Sequence, residues 1–452
     1  MVLIVFITFI VCYLCIGIWN SRHVKTLNDF FIRSRSLSLI ETTASLVVTQ
    51  LGSNMILDTS RKGFEYGVYG IFYPLGISVG LLLLTSTLAE RWRTLNINTT
   101  AELFINRFKS VYLHKLAGCI GLISLFGILV AQVAALRFVI CPYLSIANMC
   151  LFIATWLCIV FYTMLGGLSS VINTGFLQGI LLYGFFGLFI VTVLITTPFS
   201  IAELAAEAVR RPIVPKELTF TQTLSLFILP GLYVIISQTI IQFIIKAKTV
   251  KVAKAATSLS SFLLIGFTFV PFMGGLIAKK MTPHIDASTH VIVAVMRALT
   301  PTWMLALGIA AISAAIISTA DALLLGASSF IIHDIMPKYK YNFLITRLLI
   351  ALTGLMSLVA SYYVEERVVF LILHSYELAL SVLFIPSIIC LYFPEVPVST
   401  NCAWASCIIG GCSYLLGAFL LPSTVPHILI TFGLASLPFV VYKFKMQKLQ
   451  VK

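Results

Sequence analysis

Two neighbouring hydroxyl residues, Ser318 and Thr319, lie in the middle of a long apolar stretch that reads AAISAAIISTADALLLGASSFIIHD. Polar side chains are costly inside a membrane helix, so a helix that carries two of them usually uses them to hold something. No residue near them supplies a catalytic partner, and neutral oxygens are typical ligands for a hard cation. Ala315 lies three residues before Ser318 and therefore shares its helix face. The pattern predicts a sodium site; the alternative is that both hydroxyls bond back to carbonyls of their own helix.

The composition indicates a membrane protein. The chain of 452 residues is 60% hydrophobic and 10% charged, with a mean hydropathy of +1.04. Apolar segments of about 20 residues, the length that crosses the ~30 Å hydrocarbon core, recur along the whole chain. The net charge of +14 is explained by Lys and Arg residues that orient these segments, so we expect no nucleic-acid partner. The ten cysteines are mostly within apolar segments, and the CxxC pair Cys12 and Cys15 lies inside the first of them. We therefore expect neither a disulfide framework nor a zinc site.

We predict an all-α polytopic membrane protein with about thirteen transmembrane helices. The first segment lacks the basic leading region and small-residue cleavage site of a signal peptide, so it is predicted to be retained. The predicted spans cover residues 2–19, 40–60, 66–89, 113–138, 142–164, 172–197, 221–245, 257–278, 303–327, 342–363, 368–392, 402–421 and 425–443.

Basic residues between the spans predict the orientation. They cluster after spans 1, 3, 7 and 13, which places all four segments on one side of the membrane. The clusters are Arg22, Lys25, Arg33 and Arg35; Arg91, Arg93, Arg107, Lys109 and Lys115; Lys246, Lys248, Lys251 and Lys254; and Lys443, Lys445, Lys448 and Lys452. We therefore expect an outside N-terminus and a cytoplasmic C-terminus, in a bacterial inner membrane.

Two of the spans are interrupted. Span 2 reads ASLVVTQLGSNMILDTS, and its apolar pattern is broken by Gln50, Gly52, Ser53 and Asn54. Span 7 reads LSLFILPGLYVIISQTIIQF, with Pro230–Gly231 as the expected break. Paired interruptions at equivalent positions are typical of transporters whose solute binds between inverted repeats. The alternative is that each Gly or Pro serves only close packing or a kink.

The interruptions suggest a division of the chain into two repeats with flanking segments. We expect an accessory first helix with a cytoplasmic loop, a first five-helix repeat, an extracellular loop, a second five-helix repeat, and two accessory helices with a basic tail. In order, these cover residues 1–38, 39–197, 198–219, 220–392 and 393–452.

Five motifs in this order resemble the sodium:solute symporter family, which includes carriers of proline, pantothenate, sialic acid and sugars. They are NDFFIRSRSLS, TTAELFINRF, YTMLGGLSSVINTGFLQG, SQTIIQFIIKAKTVKVAK and AAIISTADALLLGASSFIIHD. The last is similar to the family pattern A-A-x-x-S-T-A-D-S-x-L-L. The resemblance implies a LeuT-type fold with a core of five plus five inverted helices.

The resemblance also implies the ligands of the sodium ion. In the family, backbone carbonyls at the break of the first core helix join hydroxyls on the eighth. The matching positions in this sequence are Val48, Leu51, Ala315, Ser318 and Thr319. An unwound helix exposes carbonyls toward a cavity, which suits a hard cation.

The implied solute site lies beside the broken segments. The matching positions are Gln50, Asn54 and Met55 on span 2 and Tyr233 on span 7. An ordinary buried tyrosine is the alternative for Tyr233. The glutamines Gln132 and Gln242 recur in the family, and interhelical hydrogen bonding is as well supported for them as contact with the solute.

Three positions depart from the family pattern. Gly175 replaces the aspartate that helps to bind a second sodium ion in some members, so we expect one sodium ion per cycle unless another acid compensates. Asp58 stands where glycine is usual, and an ion pair with Arg61 is the simplest interpretation. Phe243 follows Gln242 where an arginine is familiar.

Glu377 lies within span 11, and an acid within a span is by default a functional-site hypothesis. His374 is three residues earlier on the same face, so the two residues could form a proton or polar relay. A hydrogen-bonded structural pair near the aqueous end is the equally weighted alternative.

The expected function is sodium-coupled import of a small organic solute, an amino acid or a small carboxylate, by alternating access. Alternatives are a proton-coupled carrier that uses Glu377 and His374, or an uncoupled or sensor-like relative. We expect no enzyme, because the sequence has no P-loop and its GxSxG string, residues 76–80, lies inside an apolar span and not at a turn between a strand and a helix. The expected partners are the solute, the sodium ion and the lipid bilayer; the sequence does not indicate the oligomeric state.

Overall fold

The computed structural model describes most of the chain. Its residues are 2–22, 24, 30–31, 35–143, 148–210, 212–216, 218–281, 290–339, 342–364, 368–395, 398–420 and 427–450. Lys25, Asp29 and Arg33, which belong to the first predicted motif and the first basic cluster, lie outside the described residues. Within the described residues the chain is helical and forms no β-strand, as predicted.

The helices are numbered here in chain order. They are α1 Val2–Ser21, α2 Leu39–Gln50, α3 Thr59–Tyr66, α4 Phe72–Thr87, α5 Ala89–Thr94, α6 Glu102–Phe108, α7 Val111–Tyr143, α8 Asn148–Thr196, α9 Ile201–Val209, α10 Phe220–Ile236, α11 Gln238–Lys246, α12 Val250–Met281, α13 Val291–Leu299, α14 Thr302–Phe330, α15 Phe343–Tyr362, α16 Val368–Ala379, α17 Ile385–Tyr392, α18 Thr400–Leu420 and α19 His427–Gln450. Turns of π-helix cover Asn54–Asp58, Ile331–Ile335 and Leu380–Phe384.

Eight helical segments of the described chain are long and apolar enough to cross a membrane, or nine if the bent pair α10 and α11 forms one span. The longest, Met149–Thr196, has 48 residues, which at 1.5 Å per residue would measure about 72 Å, more than twice the hydrocarbon thickness. Gly167 lies inside it with a φ of 52° and a non-helical conformation, so the segment is kinked there. The count of thirteen spans remains a prediction.

Helix α14 lies at the centre of the molecule. Every residue from Gly308 to Phe330 is buried, because α1, α2, α7, α8 and α15 pack around it. A helix that is apolar on all sides and buried on all sides is typical of a core element. Ser318 and Thr319 are therefore enclosed by protein and do not face lipid.

The break in the second interrupted span lies further along the chain than the sequence predicts. Pro230 is inside α10, which continues to Ile236, and the chain bends by 41° between α10 and α11 at Ser237. Gly231 instead allows a close approach to α4, since a Cβ atom on Gly231 would lie 2.7 Å from the carbonyl oxygen of Gly76. The expected break at Pro230–Gly231 is thus wrong, and close packing explains the glycine.

Candidate cation and solute site

Helix α2 begins and ends at well-defined signals. Its first turn is closed by a capping box, in which Ser38 and Glu41 each bond the other's backbone amide. It ends at Gln50, with Leu51 as the capping residue, and the chain resumes as π-helix at Asn54. The predicted break is present. The Leu51 amide still donates to the carbonyls of Val47 and Val48, at 3.2 and 3.3 Å, and a carbonyl oxygen has a second lone pair that can take another partner.

Hydroxyls from α14 meet two carbonyls in the last turn of α2. The Oγ of Ser318 lies 2.9 Å from the carbonyl oxygen of Val48 and 2.8 Å from that of Ala315. The Oγ1 of Thr319 lies 3.0 Å from the carbonyl oxygen of Thr49 and 3.2 Å from that of Ala315. Four of the five residues with an implied sodium role therefore meet at one point. Leu51 adjoins them as the fully buried cap of α2.

This arrangement contains more acceptors than protons. Each hydroxyl carries one hydrogen, whereas each of these two lies within hydrogen-bond distance of two carbonyl oxygens. Two of the four oxygen–oxygen contacts must therefore lack a proton at any moment. Hydroxyls can rotate to present lone pairs, so the same oxygens can surround a cation, and the residues present fit sodium. The alternative of bonding within α14 is present as well, through Ala315.

Gly52 and Gln132 complete the break. A Cβ atom on Gly52 would lie 2.9 Å from Thr319 Oγ1 and 3.0 Å from Gln132 Oε1, so only glycine leaves this space open. The Oε1 of Gln132, on α7, accepts a hydrogen bond from the backbone amide of Ser53 at 3.0 Å. Gln132 thus supports the break from the side opposite α14.

A small cavity adjoins the break and measures about 30 Å³. It is lined by Thr49, Gln50, Gly52, Asn54, Met55, Tyr73, Ile128, Gln132, Tyr233, Ser237, Thr239, Thr319, Leu323 and Tyr376. All four residues with an implied solute role are in this set, next to Thr319. Ligand pockets generally measure roughly 300–1,000 Å³, so the cavity must widen before an organic solute can bind.

Three tyrosines from three helices close this cavity. Tyr73 and Tyr376 share a hydrogen bond between their hydroxyls at 2.9 Å, and the rings of Tyr233 and Tyr376 are stacked with centroids 4.2 Å apart. Sequence reasoning found Tyr233 and missed the other two. The available signal was the presence of tyrosines inside apolar spans, because a buried tyrosine hydroxyl needs a partner.

A wider space, here called the vestibule, lies on the other side of Asn54 and measures about 860 Å³. Asn54 is 2% exposed and lines both spaces, and neither of its amide atoms completes a hydrogen bond of good geometry. Asp58 also lines the vestibule, and its carboxylate accepts a hydrogen bond from Lys62 at 2.6 Å. The pair expected from the sequence involved Arg61, whose guanidinium bonds Glu65.

The opposite end of the molecule is closed at the second break. The indole N–H of Trp92 donates to the carbonyl oxygen of Ile235 at 3.2 Å. The side chain of Gln238 accepts from the amide of Thr100 at 2.7 Å and donates to the carbonyl of Asn98 at 3.2 Å. The segment 92–100 therefore spans the break between α10 and α11.

Further hydrogen bonds connect this segment and the chain just before α2 to the end of α11. Leu37 exchanges backbone hydrogen bonds with Lys246 and Lys248, at 3.1 and 2.9 Å. Arg93 donates to the carbonyl oxygens of Ala247 and Lys248. We call residues 92–100, Leu37 and residues 246–248 the latch.

Glu377 and His374 form the pair that their spacing predicts. His374 Nδ1 lies 3.5 Å from Glu377 Oε2, and the side chains are 33% and 21% exposed. Neither residue lines the cavity or the vestibule. A relay role for the pair stays a prediction.

Arg137 and Gln242 have structural contacts. Arg137 donates to the carbonyls of Tyr362 and Val364, at 3.1 and 2.8 Å. Gln242 donates at 3.5 Å to the carbonyl of Ala322 and does not line the cavity. Both side chains connect helices.

A family model and two solved structures that are similar to this chain all describe symporters. The family model described as "Sodium:solute symporter family" matches residues 30–410. A solved structure of a Na+-coupled sialic acid symporter, in a substrate-bound outward-open state described as revealing a novel Na+ site, is similar with a TM-score of 0.82 and 18% identity, covering 97% of this chain and 95% of that chain. Mhp1, a nucleobase-cation-symport-1 family transporter in a closed conformation with bromovinylhydantoin bound, has a TM-score of 0.64 and 12% identity, covering 91% and 93% of the two chains. At these identities the structural likenesses concern the fold.

Proposed function

We infer that this chain, which belongs to the sodium:solute symporter family, is a sodium-coupled importer of a small organic solute that works by alternating access. Its family and its LeuT-type fold make it an integral membrane transporter and not an enzyme. The solute we propose is an amino acid or a small carboxylate.

One observation carries the proposal of the sodium site. The hydroxyls of Ser318 and Thr319 meet the carbonyls of Val48 and Thr49 across the break in α2, about 270 residues away in sequence. Both partners are neutral oxygens, and the carbonyls lie in the last turn of α2, where the helix stops at the break. Neutral oxygens at such a break coordinate Na⁺ or H⁺ in transporters with discontinuous membrane helices.

The position of Thr319 supports coupling between ion and solute. Thr319 belongs to the proposed sodium site and also lines the cavity with Gln50, Asn54 and Tyr233. A bound sodium ion would hold the Val48 and Thr49 carbonyls in place, and with them the residues that follow in the break. Ordering the break would lower the cost of binding the solute, which is positive coupling between two sites.

The cavity lining supports the solute class. None of the fourteen lining residues is charged, and an unpaired ion would be costly there. A carboxylate would be balanced by the adjacent sodium ion, and the amides of Gln50, Asn54 and Gln132 would bond its polar groups. The apolar and aromatic side chains around them favour a small solute over a polyhydroxylated sugar, which needs many hydrogen-bond partners.

The two ends of the molecule support an orientation. The vestibule end is open, whereas the latch end is closed by hydrogen bonds and carries Arg93 and Lys248. Basic residues favour the cytoplasmic side. We propose that the vestibule faces outward and the latch faces the cytoplasm, with the N-terminus outside, in a bacterial inner membrane.

We also propose the division into two five-helix repeats, 39–197 and 220–392. Helices α2 and α10, which begin these segments, both start at a capping box and both end at a break. In alternating access, one group of helices would rock against the other around the cavity. One charge moving through ~100 mV supplies about 2.3 kcal/mol for accumulation.

Binding of radioactive sodium to the purified full-length protein tests the proposal without knowledge of the solute. We expect saturable binding that is weakened in the double variant Ser318→Ala/Thr319→Ala. Two lost ligands at about 1.5–3 kcal/mol each correspond to a rise in Kd of roughly 10²- to 10⁴-fold. An unchanged Kd in a folded variant would exclude sodium from this site.

The matched control is Ser328→Ala/Ser329→Ala, on the same helix. The Oγ atoms of Ser328 and Ser329 bond the carbonyls of Leu324 and Leu325 in their own helix, so sodium affinity should be unchanged. Uptake of radiolabelled amino acids and small carboxylates into proteoliposomes under a sodium gradient then identifies the solute. Uptake that follows a proton gradient and is lost in Glu377→Gln would instead support the proton-coupled alternative.

A further inference from the structure

The vestibule differs from the cavity in that charged side chains line it. Two acids and two bases are among its described lining residues, namely Asp58, Arg61, Lys62 and Glu65. All four come from one short segment of the chain, whereas the lining residues of α7, α13 and α16 are apolar. With His290 neutral, the charges of the described lining residues sum to zero. The vestibule therefore combines charged groups of both signs with apolar surface.

The four charges form two ion pairs that differ in burial. Asp58 and Lys62, here called the inner pair, lie 2.6 Å apart, and their side chains are 13% and 16% exposed. Arg61 and Glu65, the outer pair, are 29% and 30% exposed. Charges interact more strongly, and salt screens them less, where water is largely excluded. The inner pair is therefore the one that can act strongly on a charged solute.

The inner pair lies one helical turn from the cavity. Asn54 and Asp58 are the first and last residues of a single turn of π-helix, a feature that is frequent at functional sites. Both residues line the vestibule, and Asn54 also lines the cavity. Asn54 is buried, and its amide atoms complete no hydrogen bond of good geometry. A solute that moves from the vestibule to the cavity thus passes Asp58 before it meets Asn54.

We propose that the vestibule binds the solute before the cavity does, and that Asp58 and Lys62 select a zwitterion, namely an amino acid with an apolar side chain. The ammonium group of the amino acid bonds Asp58, and its carboxylate bonds Lys62. Its side chain contacts the apolar lining, which includes Phe138 and Val291. The inference rests on the proposed function, and it narrows the proposed solute from an amino acid or small carboxylate to an amino acid.

The balance of charges is the reason for this selection. Without a solute, Asp58 and Lys62 neutralise each other. A zwitterion that separates them gives each residue a new partner of opposite charge. A carboxylate without an ammonium group would bond Lys62 and leave Asp58 unpaired, and a simple amine would leave Lys62 unpaired. A largely buried charge without a partner is costly, so both of these ligands are disfavoured against the zwitterion.

Asp58 is also one of the positions at which this sequence departs from the family pattern, where glycine is usual. A carboxylate that other members lack is not needed for sodium coupling itself. Selection of the solute is a role that differs between members, so it suits a residue that differs as well.

Protection of a cysteine tests binding in the vestibule. Val369 belongs to the apolar lining, and Val369→Cys is made in a full-length protein without its ten native cysteines. The measurement is the rate at which N-ethylmaleimide modifies this cysteine. The reagent is uncharged, so its approach does not depend on the charge at residue 58.

The probes are three matched sets. Leucine, valine and phenylalanine are the amino acids. Isocaproate, isovalerate and hydrocinnamate lack the ammonium group, and isoamylamine, isobutylamine and phenethylamine lack the carboxylate. We expect an amino acid to slow the modification at a concentration at least tenfold lower than its two analogues require. If none of the three amino acids protects the cysteine, or if the carboxylates protect it equally well, the proposal is overturned.

Asp58→Asn keeps the shape of the side chain and removes its charge. The amino-acid concentration for half-maximal protection should rise about 10- to 150-fold, the effect of one lost charge-assisted hydrogen bond. The preference over the carboxylate analogue should disappear, because Lys62 is then unpaired. Glu65→Gln is the matched control, since it removes a carboxylate of the more exposed outer pair, and its effect should stay within about fivefold. Equal effects of the two substitutions contradict the role of Asp58.

Lys62→Gln provides an independent test if Asp58→Asn fails to fold. It leaves Asp58 without its cation, so the preference should shift from the amino acid toward the amine analogue. An unchanged order of preference in this variant overturns the selection by the inner pair.

The vestibule and the sodium site can fail separately. Protection of Val369→Cys should persist without sodium and in Ser318→Ala/Thr319→Ala, because binding in the vestibule does not use the oxygens at the α2 break. Protection that requires sodium would place the amino acid in the cavity and overturn binding in the vestibule. If ²²Na⁺ binds but no amino acid protects, the sodium site stands and the inference about the vestibule is wrong. If amino acids protect a protein that binds no ²²Na⁺, the reverse holds.

Discussion

The two broken membrane helices use the same backbone device for different purposes. Helices α2 and α10 both start at a capping box, and at each break a carbonyl oxygen of the last turn meets a donor from another helix. At the first break, those oxygens meet the hydroxyls of Ser318 and Thr319. At the second break, the carbonyl of Ile235 meets the indole N–H of Trp92.

The two breaks differ in whether their hydrogen-bond donors can also act as acceptors. A hydroxyl is both donor and acceptor, so it can turn its proton away and present a lone pair to a cation. An indole N–H is a donor only and excludes a cation from the same place. The first break can therefore exchange its hydrogen bonds for an ion, whereas the second can only make or lose them. The first is suited to binding, and the second to opening and closing the latch.

The largest expected effect comes from filling the first break. Gly52→Ala places a Cβ atom 2.9 Å from Thr319 Oγ1. Overpacking costs about 1–3 kcal/mol, so the Kd for sodium should rise roughly 5- to 150-fold, as measured by ²²Na⁺ binding. Gly266→Ala is the control, because a Cβ atom there has no neighbour within 4 Å. Equal sodium affinity in both variants would mean that the space at Gly52 is not needed.

The support of the first break should be the next most sensitive feature. Gln132→Leu leaves the buried amide of Ser53 without its acceptor, which should lower the free energy of unfolding by about 1–3 kcal/mol. Denaturant titration in detergent measures this loss. Gln242→Leu is the matched control, because among the described residues this equally buried glutamine makes one long hydrogen bond, at 3.5 Å. If Gln242→Leu costs as much, the Ser53 contact has no special role.

A smaller effect is expected at the second break. Trp92→Phe removes the bond to Ile235, worth about 1 kcal/mol, and should shift the population about fivefold toward a state open at the latch. The rate at which a membrane-impermeant thiol reagent modifies Leu323→Cys in the cavity, in a protein without its ten cysteines, reports this opening.

Trp303→Phe controls for loss of a tryptophan, since Trp303 is 44% exposed and outside the latch. Sodium affinity should change little in Trp92→Phe. A large loss of sodium binding there would show that the two breaks are not separable in function.

The smallest effect is expected where the sequence placed the second break. Pro230 lies inside continuous helix, so Pro230→Ala should leave the Kd for sodium and the thiol-modification rate within about twofold, less than 0.5 kcal/mol. A change comparable to that of Trp92→Phe would restore Pro230 as part of the hinge.

The first break was predictable because its signal is local. A run of polar residues from Gln50 to Asn54 interrupts an apolar span, and such a run cannot continue as a lipid-facing helix. The second break has no such run. Pro230 and Gly231 are the visible helix breakers near it, but Ser237 is where Trp92 and Gln238 supply the bonds that a bend requires.

The sequence by itself determined the class of the molecule and the polar residues at its centre. Apolar length and charge placement are sums over the chain, so they need no knowledge of contacts. Ser318 and Thr319 were identified from the residues alone, as polar groups too costly to bury without a purpose, whereas Tyr233 was identified through the resemblance to the family.

Only the tertiary structure decided what these residues meet. The contact of Ser318 with Val48 and the hydrogen bond between Tyr73 and Tyr376 at the cavity join residues far apart in the chain. Such contacts depend on how helices cross, which the period of a single helix does not encode.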